Sequence, residues 1–213
     1  MVRWAWDRWA GLAGIAYVVL YVAAFALGIE VGASDREILE YYGDSGHRAK
    51  EVAAFFVIAA AALAFLLFAS RLRHLLKPSG ETLAAIGWAG AVTYAALTLA
   101  GNAVSRATAF AAMETDTFEL EPNTRRVLEA AGFLLLVSGA LAAMLLLVTV
   151  SVAAVRARIL PRWLGWAGFV AAALLPLAIG FIGFLVLFLW VLATSIVLVA
   201  RRSSPMPEAA HRP

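Results

Sequence analysis

Four polar residues, Tyr94, Thr98, Asn102 and Ser105, interrupt an otherwise apolar stretch at spacings of 4, 4 and 3, and Arg106 follows directly. That spacing puts all four on one face of a helix. Asn and Thr on such a face can hydrogen-bond a neighbouring helix, and an arginine near a helix end can snorkel to water. The same set can instead wall an outward-opening polar cavity, with Arg106 paired to a carboxylate. The motive for pairing is cost, since an arginine at the bilayer centre is penalised by about 2.5–3.5 kcal/mol even on insertion scales. Glu129 is the first expected partner, with Glu30 and Glu51 behind it. Asn102, Ser105, Arg106 and Glu129 are therefore the candidate ligand-binding residues.

Other chemistry is sparse. His47 and Glu51 lie four residues apart and share a helix face, but a metal site needs a third and usually a fourth ligand, and the spacing reads better as an exposed interfacial pair. His74 and His211 fall in a basic loop and in the tail, so no histidine lies within an apolar span to ligate a haem. Cysteine is absent, which removes disulfides, thiolate metal sites and thiol nucleophiles. No G-x-S-x-G, Walker motif or intramembrane carboxylate pair occurs. The sequence thus points to no catalytic residue, no metal and no cofactor.

The elements that carry these residues are hydrophobic. Of 213 residues 63% are hydrophobic, and the mean hydropathy is +0.87, well above the roughly 45–50% apolar content of soluble domains. The expected fold is all-α, a polytopic transmembrane helix bundle over residues 1–202. Its six spans lie near Trp9–Ile29, Val52–Ser70, Leu83–Ala103, Val127–Val150, Trp163–Ala178 and Phe181–Ala200. The first run is longer than a signal-peptide core and reads as a retained span. The apolar run Trp163–Ala200 would be about 57 Å as one helix, roughly twice the hydrocarbon thickness. Pro176, Gly180 and Gly183 supply a turn, so two spans are expected there. The group Phe181, Phe184, Phe188 and Trp190 reads as lipid-facing or packing bulk.

Charge sets the orientation. With the N-terminus inside, Arg3, Arg8, Arg71, Arg73, Lys77, Arg156, Arg158, Arg162, Arg201, Arg202 and Arg212 are cytoplasmic, 11 of the 17 basic residues. Six of the seven tryptophans (4, 6, 9, 88, 163 and 166) fall at the same interface, where an indole keeps its body in lipid and its N–H in water. Both termini are expected in the cytoplasm. The basic residues flank spans instead of forming one face, so the pI of 9.6 does not imply nucleic acid.

On the outer side, Ser34-Asp35-Arg36-Glu37 fits a capping box opening a short amphipathic helix near residues 35–42, with Gly43 to end it. The connection from Met113 to Arg126 is acidic, and Pro122 opens the next helix. The tail over 203–213 reads as disordered. A repeat marks the helix starts. Arg8-Trp9-Ala10-Gly11-Leu12-Ala13-Gly14 matches Arg162-Trp163-Leu164-Gly165-Trp166-Ala167-Gly168 at five of seven positions, with Gly87-Trp88-Ala89-Gly90 between them. The first glycines are 76 and 78 residues apart, which suggests three related helical hairpins, unless shared composition alone makes them alike. Gly11, Gly14, Gly87, Gly90, Gly165 and Gly168 are the candidate helix-packing residues.

The R-W-A-G start, E-I-L-E-Y-Y (37–42), R-L-R-H-L-L (71–76) and L-P-R-W-L-G-W (160–166) resemble the small six-span integral membrane proteins of unknown function widespread in actinobacteria. The resemblance implies a bacterial cytoplasmic membrane and carries over no catalytic residue. Its bilayer is one partner; other membrane subunits, or a second copy, would be the others. The leading expectation is a non-enzymatic accessory or scaffolding subunit acting through helix–helix contacts. The alternative is a carrier or binder of a small polar or lipidic ligand in an outward-facing cavity.

Overall fold

The computed structural model describes residues 2–27, 34–114 and 121–200, with the side chains of the first helix described from residue 9 to residue 25. Glu30, Asp116, Glu119 and the tail over 203–213 lie outside the described residues. The fold is all-helical: α1 Val2–Leu27, α2 Asp35–Gly43, α3 Ser45–Leu76, α4 Glu81–Glu114, α5 Pro122–Ala157, α6 Arg162–Leu174 and α7 Ile182–Ala200. Short 3₁₀ turns, Lys77–Ser79 and Leu175–Gly180, follow α3 and α6.

Among the described residues five helical segments are long and apolar enough to cross a membrane, where six spans were expected. The sixth, Trp9–Ile29, falls on α1, whose described apolar stretch Trp9–Phe25 is shorter than the other five. The helices also outrun the expected spans. With 32 residues, α3 is about 48 Å long, beyond the roughly 30 Å of a hydrocarbon core. A helix ends where its backbone groups find other partners, not where the apolar window ends. Thus α3 begins at Asp44, whose carboxylate accepts from Gly46 N at 2.8 Å, and α5 begins at Pro122 behind the cap of Glu121 on Thr124 N at 2.6 Å. Thr124 Oγ1 donates to the same oxygen at 2.8 Å, and this bond together with the cap holds the Glu121 carboxyl below its ordinary pKa.

All the described helices except α2 form a closed ring. α1 packs on α3, α3 on α4, α4 on α5, α5 on α6, α6 on α7, and α7 back on α1. The interior is filled at mid-height by Tyr17, Phe65, Phe68, Tyr94, Leu146 and Leu147, all fully or almost fully buried. The outside is a belt of exposed apolar side chains, among them Val19, Leu63, Leu134, Leu141, Val170, Leu189 and Ile196. An apolar surface of that extent requires an apolar solvent. Trp9, Trp163 and Trp166 are exposed near the end away from α2, where the Arg73 guanidinium lies over the Trp88 ring at 5.6 Å.

The break at Trp163–Ala200 falls where expected. Pro176 opens the 3₁₀ turn, Phe181 takes a left-handed φ of 64°, and Trp190 Nε1 donates to Leu164 O at 3.3 Å across the bend. Trp190 is therefore packing bulk in the core, the second of the two roles expected for it.

The six glycines are all buried, but their neighbours are not equivalent. Gly11 and Gly14 face α7 at Val199 and Ser195. Gly87 and Gly90 face α5 at Thr149 and Ala142, and Gly165 and Gly168 face α5 at Ser151. The likeness of the three helix starts does not extend to what they touch.

The closest approach of a described glycine to another helix's backbone lies further along the α4–α5 seam that Gly87 and Gly90 begin. A Cβ on Gly101 would sit 2.6 Å from Gly132 O, and one on Gly132 would sit 2.5 Å from Gly101 O. The spacing of Gly132 and Gly139, seven residues, and of Gly90 and Gly101, eleven residues, is the sequence signal for this seam, because both return to one helix face.

Candidate functional site

The site is built at the end of the ring that carries α2. This helix starts on a capping box: Glu37 N donates to Ser34 Oγ at 3.3 Å, and Ser34 N donates to Glu37 Oε2 at 3.1 Å. Ser34 Oγ also donates to Glu37 Oε2 at 2.7 Å, and this bond, with the one from Ser34 N, holds the Glu37 carboxyl below its ordinary pKa. Ile38 and Tyr42, one turn apart, are buried against Ala109 of α4. Gly43 does not terminate α2 through a left-handed residue. Asp44, extended at φ −84° and ψ 122°, closes α2 and caps α3 at once.

Two ion pairs lie beneath α2, the first buried and the second with its carboxylate partly exposed. In the first, Arg106 Nη1 is bonded to Glu51 Oε2, and their side chains are 12% and 4% exposed. Arg106 Nε donates to Asn102 Oδ1 at 3.0 Å. Asn102 Nδ2 donates in turn to Phe55 O at 3.0 Å, which ties α4 to α3. Tyr41 Oη donates to the other Glu51 oxygen at 3.2 Å. In the second pair, Arg125 Nη1 lies 2.7 Å from Glu129 Oε2. Its Nη2 donates to Oε1 at 3.1 Å, its Nε donates to Tyr42 Oη at 2.5 Å, and the guanidinium stands 5.4 Å from the Tyr42 ring centroid. Arg48 Nη1 donates to Tyr42 O at 2.8 Å, and Arg126 pairs with Asp35 at 2.6 Å.

The partner of Arg106 is thus Glu51, not Glu129. Glu129 sits four residues after Arg125, one turn along the same helix, and that guanidinium engages both its oxygens. The exposed pairing of His47 with Glu51 is also corrected. Glu51 turns inward and is 3% exposed, whereas His47 stacks on Tyr41 at 4.4 Å.

Beside the two pairs is a cavity of about 430 Å³, within the size range of ligand pockets. One wall is polar and contains all four candidate residues, Asn102, Ser105, Arg106 and Glu129. The rest includes Tyr21 and Phe25 of α1, Ile58 of α3, Phe133 and Leu136 of α5, Phe181 just before α7, and Phe184, Leu185 and Phe188 of α7. The phenylalanines that read as bulk therefore line a pocket. Its rim carries Val22, Phe25, Phe181 and Leu185, all exposed. The lower part of the polar stripe leads away from it: Tyr94 and Tyr17 bond through their hydroxyls in the core.

Chemically the arrangement is suited to holding a polar group beside an apolar body. Ser105 Oγ donates to Asn102 O of its own helix at 3.2 Å, so it is not poised against a base. Glu51 and Glu129 are each held by an arginine. No group of three or more His, Asp or Glu among the described residues could hold a metal. Sequence reasoning missed Arg125, which is 2% exposed, together with Tyr41 and Tyr42. The four-residue step from Arg125 to Glu129 was the available signal.

Burial raises the Tyr42 hydroxyl above its ordinary pKa, against the opposing pull of Arg125. The stability carried by the neutral phenol is present below its ordinary value near pH 10 and is lost as pH rises through the raised one. Tyr42→Phe should cost about 1.5–3 kcal/mol, as for a hydrogen bond to a charged group. It should also remove that alkaline transition from a pH titration of thermal stability.

No family model, no curated protein and no solved structure matches this chain.

Proposed function

We propose that this protein is a multi-pass membrane protein that binds or carries an amphiphile, with the polar group of the ligand on Asn102, Ser105, Arg106 and Glu129 and its apolar body among the phenylalanines. The support is one cavity that joins those four residues to Phe133, Phe184 and Phe188. Arg106 with Glu51 and Arg125 with Glu129 sum to no net charge, so a neutral or zwitterionic headgroup enters without leaving a buried charge uncompensated. The reading of the chain as a scaffold draws less support, since all six glycines of the repeat are spent on contacts within the chain.

Leu185 is exposed at the rim, so Leu185→Trp should narrow the cavity with little effect on the core. Single-chain amphiphiles of one chain length should be titrated with zwitterionic, anionic and cationic heads against wild type and Leu185→Trp, read by native mass spectrometry. The expected order is zwitterionic tightest, with binding lost in the variant. Equal binding by all three heads, or no loss in Leu185→Trp, would overturn the reading.

In this proposal α1 is a sixth span, the helices pair as three hairpins, and α2 faces outward from a bacterial cytoplasmic membrane with both termini inside. The arginines near the end opposite α2, Arg71, Arg73, Arg156 and Arg158, support that orientation. A reporter fused after Arg202 should be cytoplasmic, and one inserted near Ser45 external. An external reporter at Arg202 would make the span count odd.

A further inference from the structure

The cavity beneath α2 meets the surface on one side of the ring. Among the described residues that line it, Val22, Phe25, Phe181 and Leu185 alone are exposed, and they stand on α1 and at the start of α7. We infer that the seam between α1 and α7 is a lateral portal, through which an amphiphile of the surrounding bilayer reaches the polar wall without passing through water. The inference rests on the cavity reading above and adds to it the source of the ligand and its route.

The seam changes character along its length. Toward the end away from α2 the two helices meet at backbone level, since a Cβ on Gly11 would lie 3.0 Å from Ser195 O and 3.2 Å from Val199 N. Toward α2 the contacts pass to rings. Tyr17 and Tyr21 meet Phe188 at centroid distances of 5.6 and 4.9 Å, and Phe25 meets Phe181 at 5.8 Å. A backbone contact opens only if the helices part, but a ring contact opens by rotation about side-chain bonds, which exposed residues complete in picoseconds to nanoseconds. Phe25 and Phe181 are 49% and 53% exposed, so both have room to turn.

The portal also lies at the depth where an amphiphile already resides. Phe133 of α5 meets Phe181 at 5.4 Å and follows Glu129 by four residues, about 6 Å further from the α2 end. The polar wall thus stands nearer the α2 end and the aromatic rings nearer the bilayer centre, the order that head and chain have in a leaflet. A ligand moving sideways keeps its head level with Arg106 and Glu129 and its chain in hydrocarbon. No methylene is exposed to water on that route, whereas entry beneath α2 would expose the whole chain. The occupant this selects is a membrane-dissolved amphiphile, not a water-soluble one.

The test uses the full chain in phosphatidylcholine vesicles, loaded with palmitoyl lysophosphatidylcholine, and follows replacement by the deuterated lysolipid with native mass spectrometry. The chain has no cysteine, so Phe25→Cys with Phe181→Cys places two thiols across the portal that a short cleavable bismaleimide can join. Joined after loading, the protein should keep its lysolipid, and exchange should fail over the time that wild type needs to complete it. Cleaving the tether should restore exchange. Asp35→Cys with Arg126→Cys, joined in the same way, pins α2 to α5 where those two side chains now pair at 2.6 Å, and should leave exchange as in wild type.

Equal exchange with the α1–α7 tether joined and cleaved would overturn the portal and leave the cavity reading standing. Arrest by the α2 tether would also overturn it, because the route would then run beneath α2. A wild-type protein that takes up no lysolipid would remove the cavity reading, and the portal with it. If the first pair of thiols does not join, Val22→Cys with Leu185→Cys, the other two rim positions, decides by the same comparison.

Discussion

Replacing Glu51 by alanine should destabilise the protein by about 3–5 kcal/mol, the cost of leaving a buried charge without its partner. Glu51 is 3% exposed, it is bonded to Arg106, and it accepts from Tyr41. Its loss strands a guanidinium that is itself mostly buried and frees the phenol that docks α2. The control is the pair removed together. Glu51→Ala with Arg106→Ala leaves no orphaned charge, so the double variant should be less destabilised than the two single costs added together. Thermal unfolding in one detergent across the four proteins measures the coupling. Additive costs would mean that the two side chains do not support each other, and the account of the first ion pair would fall.

Gly132→Leu should be comparably severe for a different reason. At Gly132 the backbones of α4 and α5 meet: an added Cβ would lie 2.5 Å from Gly101 O, 2.7 Å from Ser105 Cβ and 2.9 Å from Ser105 N. None of these is the far end of a flexible side chain, so the helices must part. Overpacking of a close-packed contact costs about 1–3 kcal/mol, occasionally more, and here the whole α4–α5 seam is levered open. Gly132→Ala should show most of the effect, whereas Gly43→Ala, which has open space around it, should show almost none. The seam also positions Ser105, Arg106 and Glu129 across the cavity, so ligand binding should fall with stability. A Gly132→Leu protein of wild-type stability would remove the seam as an organising contact.

The helices and the residues of the polar wall were legible in the sequence because both follow from periodicity. Apolar windows mark the helices, and a step of 4, 4 and 3 brings Asn102 and Ser105 onto one face with Arg106 beside them. Capping chemistry is equally local, which is why Ser34 and Pro122 could be placed. Pairing across helices is not local. Whether Arg106 meets Glu51 or Glu129 depends on how α3, α4 and α5 are rotated about their axes, and Arg125, one turn before Glu129 on α5, decides it. The packing glycines show the same limit. A shared R-W-x-G start says that a helix face is small, but not which neighbour it will meet. The closest backbone contact of the α4–α5 seam is made further along it by Gly101 and Gly132, which carry no neighbouring tryptophan.

The joint at Asp44 has a mechanical consequence. One residue in extended conformation both ends α2 and begins α3, so α2 cannot slide along its neighbour; it can only swing about that residue. Adjacent phenols beside that joint grip different helices, Tyr41 through Glu51 of α3 and Tyr42 through Arg125 of α5, while Asp35 at the far end pairs with Arg126 of α5. A swing that loosens one hold loosens the other, because the two side chains leave the same turn. Lifting α2 from the bundle therefore means giving up both holds beside the joint and the Asp35–Arg126 pair together, so the helix should detach in one step and not residue by residue.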